Sequence, residues 1–325
     1  MVGWLDSSGK LKGKLLATAV PRELREPKPP PKVASTDVLV QPSIRYILIF
    51  IGIMLLSTPA MCWGPTGHTL ITSNAIELLP DGMKPFYETN SRYIVALTTL
   101  PDDWKHTHGD EAAPDHYIDL DLLSQPPFAD LIADRKTVED RFGKEKVLEA
   151  GVLPWMIVER YGKLVNAFKK QDMVEIVVQS ALISHFIGDA NVPFHATQFY
   201  DGKTSAQKGI HNRWEEILPA LMLKPESIKP TSPEKVTDIR KSAFDWCISS
   251  YKQLDAIFAA DDKARKLDPG YAYKYYQTLY NDTGSILKGR ISSAAEAVAG
   301  VYLAAWVDAG KPTLPDKAAP LFWGH

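Results

Sequence analysis

The pattern of apolar and polar positions along this 325-residue chain is helical over most of its length. Apolar residues recur every three to four positions, over stretches longer than strands, in the segments 156–170, 172–190, 235–260 and 292–309. Alternating strand patterns are scarce. Two stretches, 100–128 and 199–209, are rich in polar and turn-forming residues and predict loops. The sequence therefore predicts an all-α fold whose loops carry polar residues to the surface.

A different pattern stands ahead of these helices. An apolar run over 46–56 follows Arg45 and precedes a patch of small residues that ends at Cys62, the order typical of a secretory signal. The run is shorter than the roughly 20 residues that a membrane-spanning helix needs. We therefore expect residues 44–62 to be a signal peptide, cleaved between Cys62 and Trp63. The protein would then be secreted or periplasmic.

The predicted cleavage point divides the chain into a short N-terminal part and a long C-terminal part. Residues 1–43 have no apolar periodicity, and we expect them to be a disordered extension or the product of a start site assigned too early. Residues 63–325 contain no internal repeat or long Gly/Ser linker, and their length suits one domain.

Charge and cysteine content limit which substrates the domain would bind and which interactions can stabilise its fold. Residues 1–62 hold eight Lys or Arg and four Asp or Glu, which leaves 29 basic against 35 acidic residues in the domain. An acidic surface is a physical argument against a nucleic-acid substrate, because binding a polyanion normally uses Lys and Arg. Cys247 is the only cysteine after Trp63, so no disulfide can form within the domain. Its core, or bound metal, must hold the fold.

Candidate chemistry concentrates in ALISHFIGDANVPFHA. His185 and Asp189 lie four residues apart, so both project from one face of an otherwise apolar helix. Taken alone, the pair could be buried in the core, where a hydrogen bond between the two side chains would satisfy their polar atoms. His195 follows within the same short segment, and three potential ligands there favour a metal site.

A second cluster repeats this spacing. His211 and Glu215 lie four residues apart on a helix that we expect to start near Ile210. Upstream, PDDW offers Asp102 or Asp103, and PDHYIDLD offers His116; the aspartates could equally be ordinary loop residues. Five of the eight histidines lie beside apolar residues in these clusters, and together with the carboxylates they exceed what one zinc ion needs. We therefore expect more than one ion. The five are His68, His116, His185, His195 and His211.

The order of these residues, Trp–His, Asp, His, His-x3-D-x5-H and His-x3-E, resembles the zinc-dependent phospholipase C and single-strand-specific zinc nuclease superfamily. The resemblance runs from Trp63 to Glu215, and more loosely through YLAAWVDAG. It implies a single helical domain with three zinc ions. One would be held by Asp102, His116, His185 and Asp189, a second by His195, His211 and Glu215, and a third by His68, Asp189 and the terminal amine and carbonyl of Trp63.

The resemblance also implies an activity. In such a site, zinc ions lower the pKa of a bridging water to about 7 or below, and the resulting hydroxide hydrolyses a phosphate ester. Asp102 would help to orient or deprotonate that water. The expected function is an exported zinc phosphodiesterase.

The sequence has features of both branches of the superfamily, and the two branches act on different substrates. Glu215 and the wording GDANVPFH, with Asn191, resemble the phospholipases, which we place first; WGPTGH and Trp214 resemble the nucleases, which we place second. Ala113 and Asp103 stand where a choline pocket would have aromatic residues. Tyr117 could stack on a base or simply pack, and Asn191 is a second candidate substrate contact. No stable protein partner is implied. A third possibility is a binding protein that zinc stabilises and that has no activity.

Overall fold

The computed structural model describes residues 4–5, 11–12, 63–108 and 111–320. Contacts divide the chain into a unit Met1–Pro59 and a unit Ala60–His325. In the first unit, strands β1 (Trp4–Leu5) and β2 (Leu11–Lys12) pair antiparallel, with Trp4 opposite Lys12 and Leu5 opposite Leu11. The rest of the predicted extension 1–43, and the predicted signal peptide 44–62, lie outside the described residues.

The described part of the second unit consists of helices and connecting loops, which confirms the predicted all-α domain. Its α-helices are α1 (Gly64–Glu77), α2 (Lys84–Leu97), α3 (Leu100–His108), α4 (Leu120–Leu123), α5 (Arg135–Phe142), α6 (Lys144–Ala150), α7 (Leu153–Lys170), α8 (Met173–Ala190), α9 (Ile210–Asn212), α10 (Leu218–Met222), α11 (Ile239–Tyr251), α12 (Leu254–Leu267) and α13 (Tyr273–Asp308). A π-helical turn spans Arg213–Ile217. Short 3-10 turns cover Ala113–His116, Ala129–Leu131, Pro193–Ala196, Ser205–Gln207 and Pro225–Ser227.

Helix α8 is the centre of the domain. It contacts α1, α2, α7, α11 and α13, and every residue from Ile176 to Ala190 is buried. Its N-terminus is capped by Asp172, whose carboxylate accepts a hydrogen bond from the Glu175 amide at 3.1 Å. The helix is long and apolar enough to cross a membrane, but 83% of it is buried inside the protein. Any polar side chain on its inner turns therefore needs a partner within the protein.

The structure departs from the sequence-based elements in two places. The segment 235–260, expected as one helical stretch, forms α11 and α12, which are separated by Lys252 and Gln253. The stretch 100–128 was expected to be loop, but its first nine residues form α3 and the short helix α4 lies near its end. That loop prediction was wrong for α3 because its nine residues include few apolar ones, among them the buried Pro101 and Trp104, which are too few to show a helical period.

Candidate metal centre

Three groups of ligand side chains come together in the interior beside α8. In each group, one nitrogen or oxygen atom per residue lies within 4.8 Å of the others. The groups are His116, His185 and Asp189; His195, His211 and Glu215; and His68, Asp102 and His185. All of these residues are buried. The expectation that they form groups able to hold metal ions is thus confirmed.

The first group is centred on Asp189. Its Oδ2 lies 2.9 Å from Nδ1 of His116 and 3.2 Å from Nε2 of His185, and those two nitrogens are 3.0 Å apart. Oδ1 of Asp102 lies 3.8 Å from each of the same nitrogens. Ligand atoms around a tetrahedral zinc are separated by about 3.3–3.6 Å, given bond lengths of about 2.0–2.2 Å. The observed separations bracket that range.

His68 approaches Asp189 from the other side. Its Nε2 lies 3.5 Å from Oδ1 of Asp189, and its ring stacks on that of His185 with 4.1 Å between centroids. This approach requires a glycine at position 188, because a Cβ there would lie only 2.9 Å from Nδ1 of His68. Asp189 is therefore shared between His68 and the His116–His185 pair.

The second ligand group lies between the turn that follows α8 and the π-helical turn. Oε2 of Glu215 is 2.9 Å from Nε2 of His211 and 3.8 Å from Nε2 of His195. The expected helix near Ile210 does form, but it widens into the π turn that carries Glu215. Such single π turns are frequent at functional sites. Trp214 anchors this one, donating its indole N–H to the hydroxyl of Thr283 at 3.2 Å.

Hydrogen bonds fix the orientation of two of the ligand rings. Nδ1 of His185 lies 2.8 Å from the carbonyl oxygen of Thr98, and Nδ1 of His195 lies 2.6 Å from that of His116. A carbonyl oxygen can only accept, so each Nδ1 carries a proton and each ring presents its Nε2 to the carboxylates. This is the arrangement by which outer hydrogen bonds orient metal-ligating histidines.

The segment that carries His116 is held by backbone contacts. The amide of Ile118 donates to the carbonyl of His195 at 2.9 Å, and that of Asp119 donates to the carbonyl of Ala150 at 2.6 Å. Gly151 has φ of +90°, and a Cβ there would lie 2.2 Å from the carbonyl oxygen of Tyr117. Only glycine suits this position. The second half of the stretch 100–128 is thereby fixed against both α6 and the turn after α8.

The ionisation of the histidines suits ligation. Burial, reinforced by the charge of His185, lowers the pKa of His68 to about 3. Burial also lowers the pKa of His116 and of His195 to about 4. Burial opposes ionisation of Asp189, but the charge of His185 and the hydrogen bonds from His116 and His185 hold the pKa of this carboxyl well below its usual range. Burial opposes protonation of His185, but the carboxylates of Asp189 and Asp102 raise the pKa of its ring. A metal ion bound there would displace this proton, because imidazole binds metal in its neutral form.

Several polar atoms of the centre are buried without a hydrogen-bond partner among the described residues. They include both oxygens of Glu215, both ring nitrogens of His68 and Oδ1 of Asp189. Leaving such groups unpaired costs about 1–3 kcal/mol each, and more for charged groups. Cations held between them would satisfy the carboxylate oxygens and the one ring nitrogen of His68 that carries a lone pair. The donor set therefore fits metal ions.

A cavity of about 260 Å³ opens onto the two ligand groups that contain His116 and His195. His116, His195 and His211 form part of its wall, together with Lys105, Tyr117, Asp119 and Tyr200. Burial, together with the charges of Asp121 and Glu149, raises the pKa of Asp119 to about 7. The candidate substrate residue Tyr117 thus lines the cavity, and its hydroxyl donates to the Glu149 carbonyl at 3.3 Å.

The other residues expected at the site lie in different surroundings. Of the two aspartates, Asp102 is 1% exposed and faces the ligand groups, whereas Asp103 is exposed. Asn191, expected to contact substrate, is fully buried behind the ligand groups. Its amide N–H donates to the Ile187 carbonyl at 2.8 Å, and its oxygen accepts from Arg290 at 2.5 Å. A substrate contact would require Asn191 to release Arg290.

Trp63 is also buried, at 1% exposed. Its indole N–H donates to the carbonyl of Gly188 at 2.9 Å, one residue before Asp189, and its ring lies 5.7 Å from that of Trp214. Its carbonyl accepts from the Gly67 amide at 3.0 Å, and a carbonyl oxygen retains a second lone pair. The backbone of Trp63 is thus fixed beside α8.

Sequence reasoning missed two cations of the site. Nζ of Lys105 lies 2.7 Å from Oδ1 of Asp102 and borders the cavity. The three-residue spacing in DDWK would have indicated this pair if 100–108 had been recognised as a helix. Arg290 on α13 donates to the carbonyl of Asn191 at 3.1 Å and to the hydroxyl of Ser250 at 2.8 Å. No local signal links positions 99 residues apart.

Comparison with known proteins adds no family to this description. No family model matches the chain, and no curated protein matches it either. The fold and the ligand groups define an all-α protein with buried histidine and carboxylate groups that could hold metal ions.

Proposed function

We propose that this protein is an exported zinc-dependent hydrolase of phosphate diesters. The observation that carries the proposal is that buried histidine and carboxylate groups, several of whose polar atoms lack a hydrogen-bond partner among the described residues, reach an open cavity through His116, His195 and His211. A metal with a purely structural role would be closed off by protein ligands, whereas a catalytic metal keeps a position open to substrate.

The donor set favours zinc. It combines imidazole nitrogens with carboxylate oxygens, a mixture that suits zinc better than the all-oxygen sites of magnesium or calcium. Cys247, the one cysteine of the domain, is not among the ligand groups. We assign three zinc ions, two at the groups centred on Asp189 and Glu215 and a third at His68. The N-terminal amine and carbonyl of Trp63, exposed by cleavage after Cys62, would complete the third site.

Zinc bound here would lower the pKa of a coordinated water to about 7 and polarise the phosphoryl oxygens of a substrate. The chain itself provides the surrounding groups. Asp102 is placed to orient a water or to accept its proton, because its carboxylate lies 3.8 Å from the ligand nitrogens of both His116 and His185. Lys105 adds a positive charge at the cavity wall, where a phosphate would carry negative charge.

The cavity lining supports a nucleotide substrate ahead of a phospholipid, the reverse of the order expected from the sequence. Tyr117 and Tyr200 offer aromatic faces for a base, and Asp119 offers a carboxyl for hydrogen bonds to a base edge. With a pKa raised to about 7, Asp119 can donate as well as accept such a bond. Ala113 also lines the cavity, at a position where a choline pocket would have an aromatic residue. Its methyl group cannot make the cation–π contact with a choline ammonium that an aromatic ring would make.

Phospholipase C activity is the second candidate, because Glu215 and the GDANVPFH segment resemble that branch. One experiment tests both. Zinc-loaded protein is assayed on single-stranded DNA and on a phosphatidylcholine emulsion, with and without chelator. We expect chelator-sensitive cleavage of the DNA. Cleavage of the lipid alone would assign the phospholipase branch, and inactivity on both in fully loaded protein would favour a zinc-stabilised binding protein.

A further inference from the structure

A second cavity, of about 380 Å³, lies next to the one at the metal centre. Three short segments contribute to both. The residues that border the first cavity are Asp119, His195 and Tyr200. Their near neighbours in the chain, Asp121, Thr197 and Phe199, border the second. Two residues of chain span no more than about 7 Å. The two cavities are therefore separated only by a thin wall, and neighbouring units of one extended substrate could occupy both.

The second cavity is aromatic on one side. Phe128, Phe199 and Tyr251 line it. Phe128 and Tyr251 meet edge to face at 5.0 Å between ring centroids, and Phe199 is 40% exposed. Such an exposed ring beside a cavity offers a surface on which a planar, apolar group can stack.

Two aspartates and two lysines line this cavity, and they are not all paired with one another. Asp121 accepts hydrogen bonds from the Thr197 hydroxyl at 2.7 Å and from the Gln198 amide at 2.9 Å. Lys203 pairs with Asp255 at 2.7 Å. Lys252, exposed at the junction between α11 and α12, makes no ion pair with any residue that the structure describes. An anionic group on the ligand would supply the missing partner.

We propose that the second cavity binds the next nucleotide along a single-stranded nucleic acid, beyond the one that the first cavity holds beside the scissile phosphate. Its base stacks on Phe199, and its phosphate meets Lys252. A lipid acyl chain fits less well, because two lysines and two aspartates line the same cavity. This inference rests on the proposed function, since it takes the metal centre to be the place where the phosphodiester is cleaved.

The test compares thymidine dinucleotide with tetranucleotide. We expect kcat/KM to be about tenfold higher for the tetranucleotide, the gain that stacking one base typically provides. Phe199→Ala and Lys252→Ala should each remove most of this gain, whereas Phe199→Tyr, which keeps an aromatic face, should retain it. Lys274→Ala is the matched control, because Lys274 is exposed and lines neither cavity.

Binding is measured in parallel with phosphorothioate-linked tetrathymidylate, which resists hydrolysis. Lys252→Ala should reduce the slope of log affinity against log salt concentration by about 0.7. Cleavage of the dinucleotide with no gain from added length, or a gain that survives both alanine substitutions, would overturn the subsite alone. Variant-sensitive binding without cleavage of any oligonucleotide would support the subsite and overturn the proposed function. Stronger binding to phosphatidylcholine micelles, lost in the same variants, would overturn the nucleotide as occupant.

Discussion

Replacing Glu215 by glutamine should change the stability of this protein in opposite directions with and without metal. The substitution keeps the shape of the side chain but removes its charge. Glu215 is fully buried, neither of its oxygens has a hydrogen-bond partner among the described residues, and His211 and His195 are its nearest possible co-ligands. An amide oxygen is a much weaker zinc ligand than a carboxylate.

The magnitudes follow from this geometry. Removing partners that only support a ligand typically costs 10- to 100-fold in metal affinity, so losing the ligand itself should cost at least about 100-fold, or ~2.7 kcal/mol. With zinc in excess, this loss appears as lower stability. Without zinc, burying a neutral amide costs less than burying a carboxylate without hydrogen bonds. Glu215→Gln should then stabilise the protein by at least ~1 kcal/mol.

Urea unfolding of both proteins, with excess zinc and with chelator, measures the two effects. Glu216→Gln is the control, because Glu216 lies on the same π turn but is partly exposed and accepts a hydrogen bond from Asn212. It should change stability little under either condition. Equal destabilisation by Glu215→Gln with and without zinc would refute the reasoning. It would mean that Glu215 serves only as the partner of His211.

Three further predictions concern groups around the ligands. Lys105→Met should lower kcat/KM on a phosphodiester about 10- to 100-fold with zinc content unchanged, and Lys105→Arg should restore part of it; unchanged kinetics would remove Lys105 from the site. Arg290→Met should weaken zinc binding about 10- to 100-fold in a competition titration, because it frees the chain between Asp189 and His195; unaltered affinity would contradict this. Chelated protein should lose stability as pH falls from about 6.5 toward 4, because in this range His116 binds a proton in the unfolded chain but not when it is buried in the folded protein. This histidine alone accounts for ~2 kcal/mol between pH 7 and pH 5, and equal urea midpoints at the two pH values would contradict the assignment.

The site residues that the sequence predicted are those that local spacing along the chain reveals. His185 and Asp189 stand out because two polar residues share one face of an apolar helix, and the structure places both at full burial. His211 and Glu215 were visible for the same reason, although a regular helix and a π turn give the same sequence spacing. Apolar periodicity likewise predicted α7, α8 and the C-terminal half of α13.

What the sequence could not reveal depends on contacts between distant segments. Asn191 reads as a polar residue next to a ligand, but its partner Arg290 comes from another helix. The pairing of Lys105 with Asp102 was hidden because the nine residues of α3 are too few to show an apolar period. Asp119 gains its raised pKa only when folding buries it near Asp121 and Glu149. Burial and long-range proximity, rather than residue type, give these groups their roles.

The metal content of the protein tests the central claim most directly. Protein that begins at Trp63, purified without added chelator, is analysed for its metals, and hydrolysis of a phosphodiester is assayed before and after demetallation. We predict three zinc ions per chain and an activity that disappears with them and returns on adding zinc. Fewer than two ions per chain, or full activity in the metal-free protein, would contradict the account.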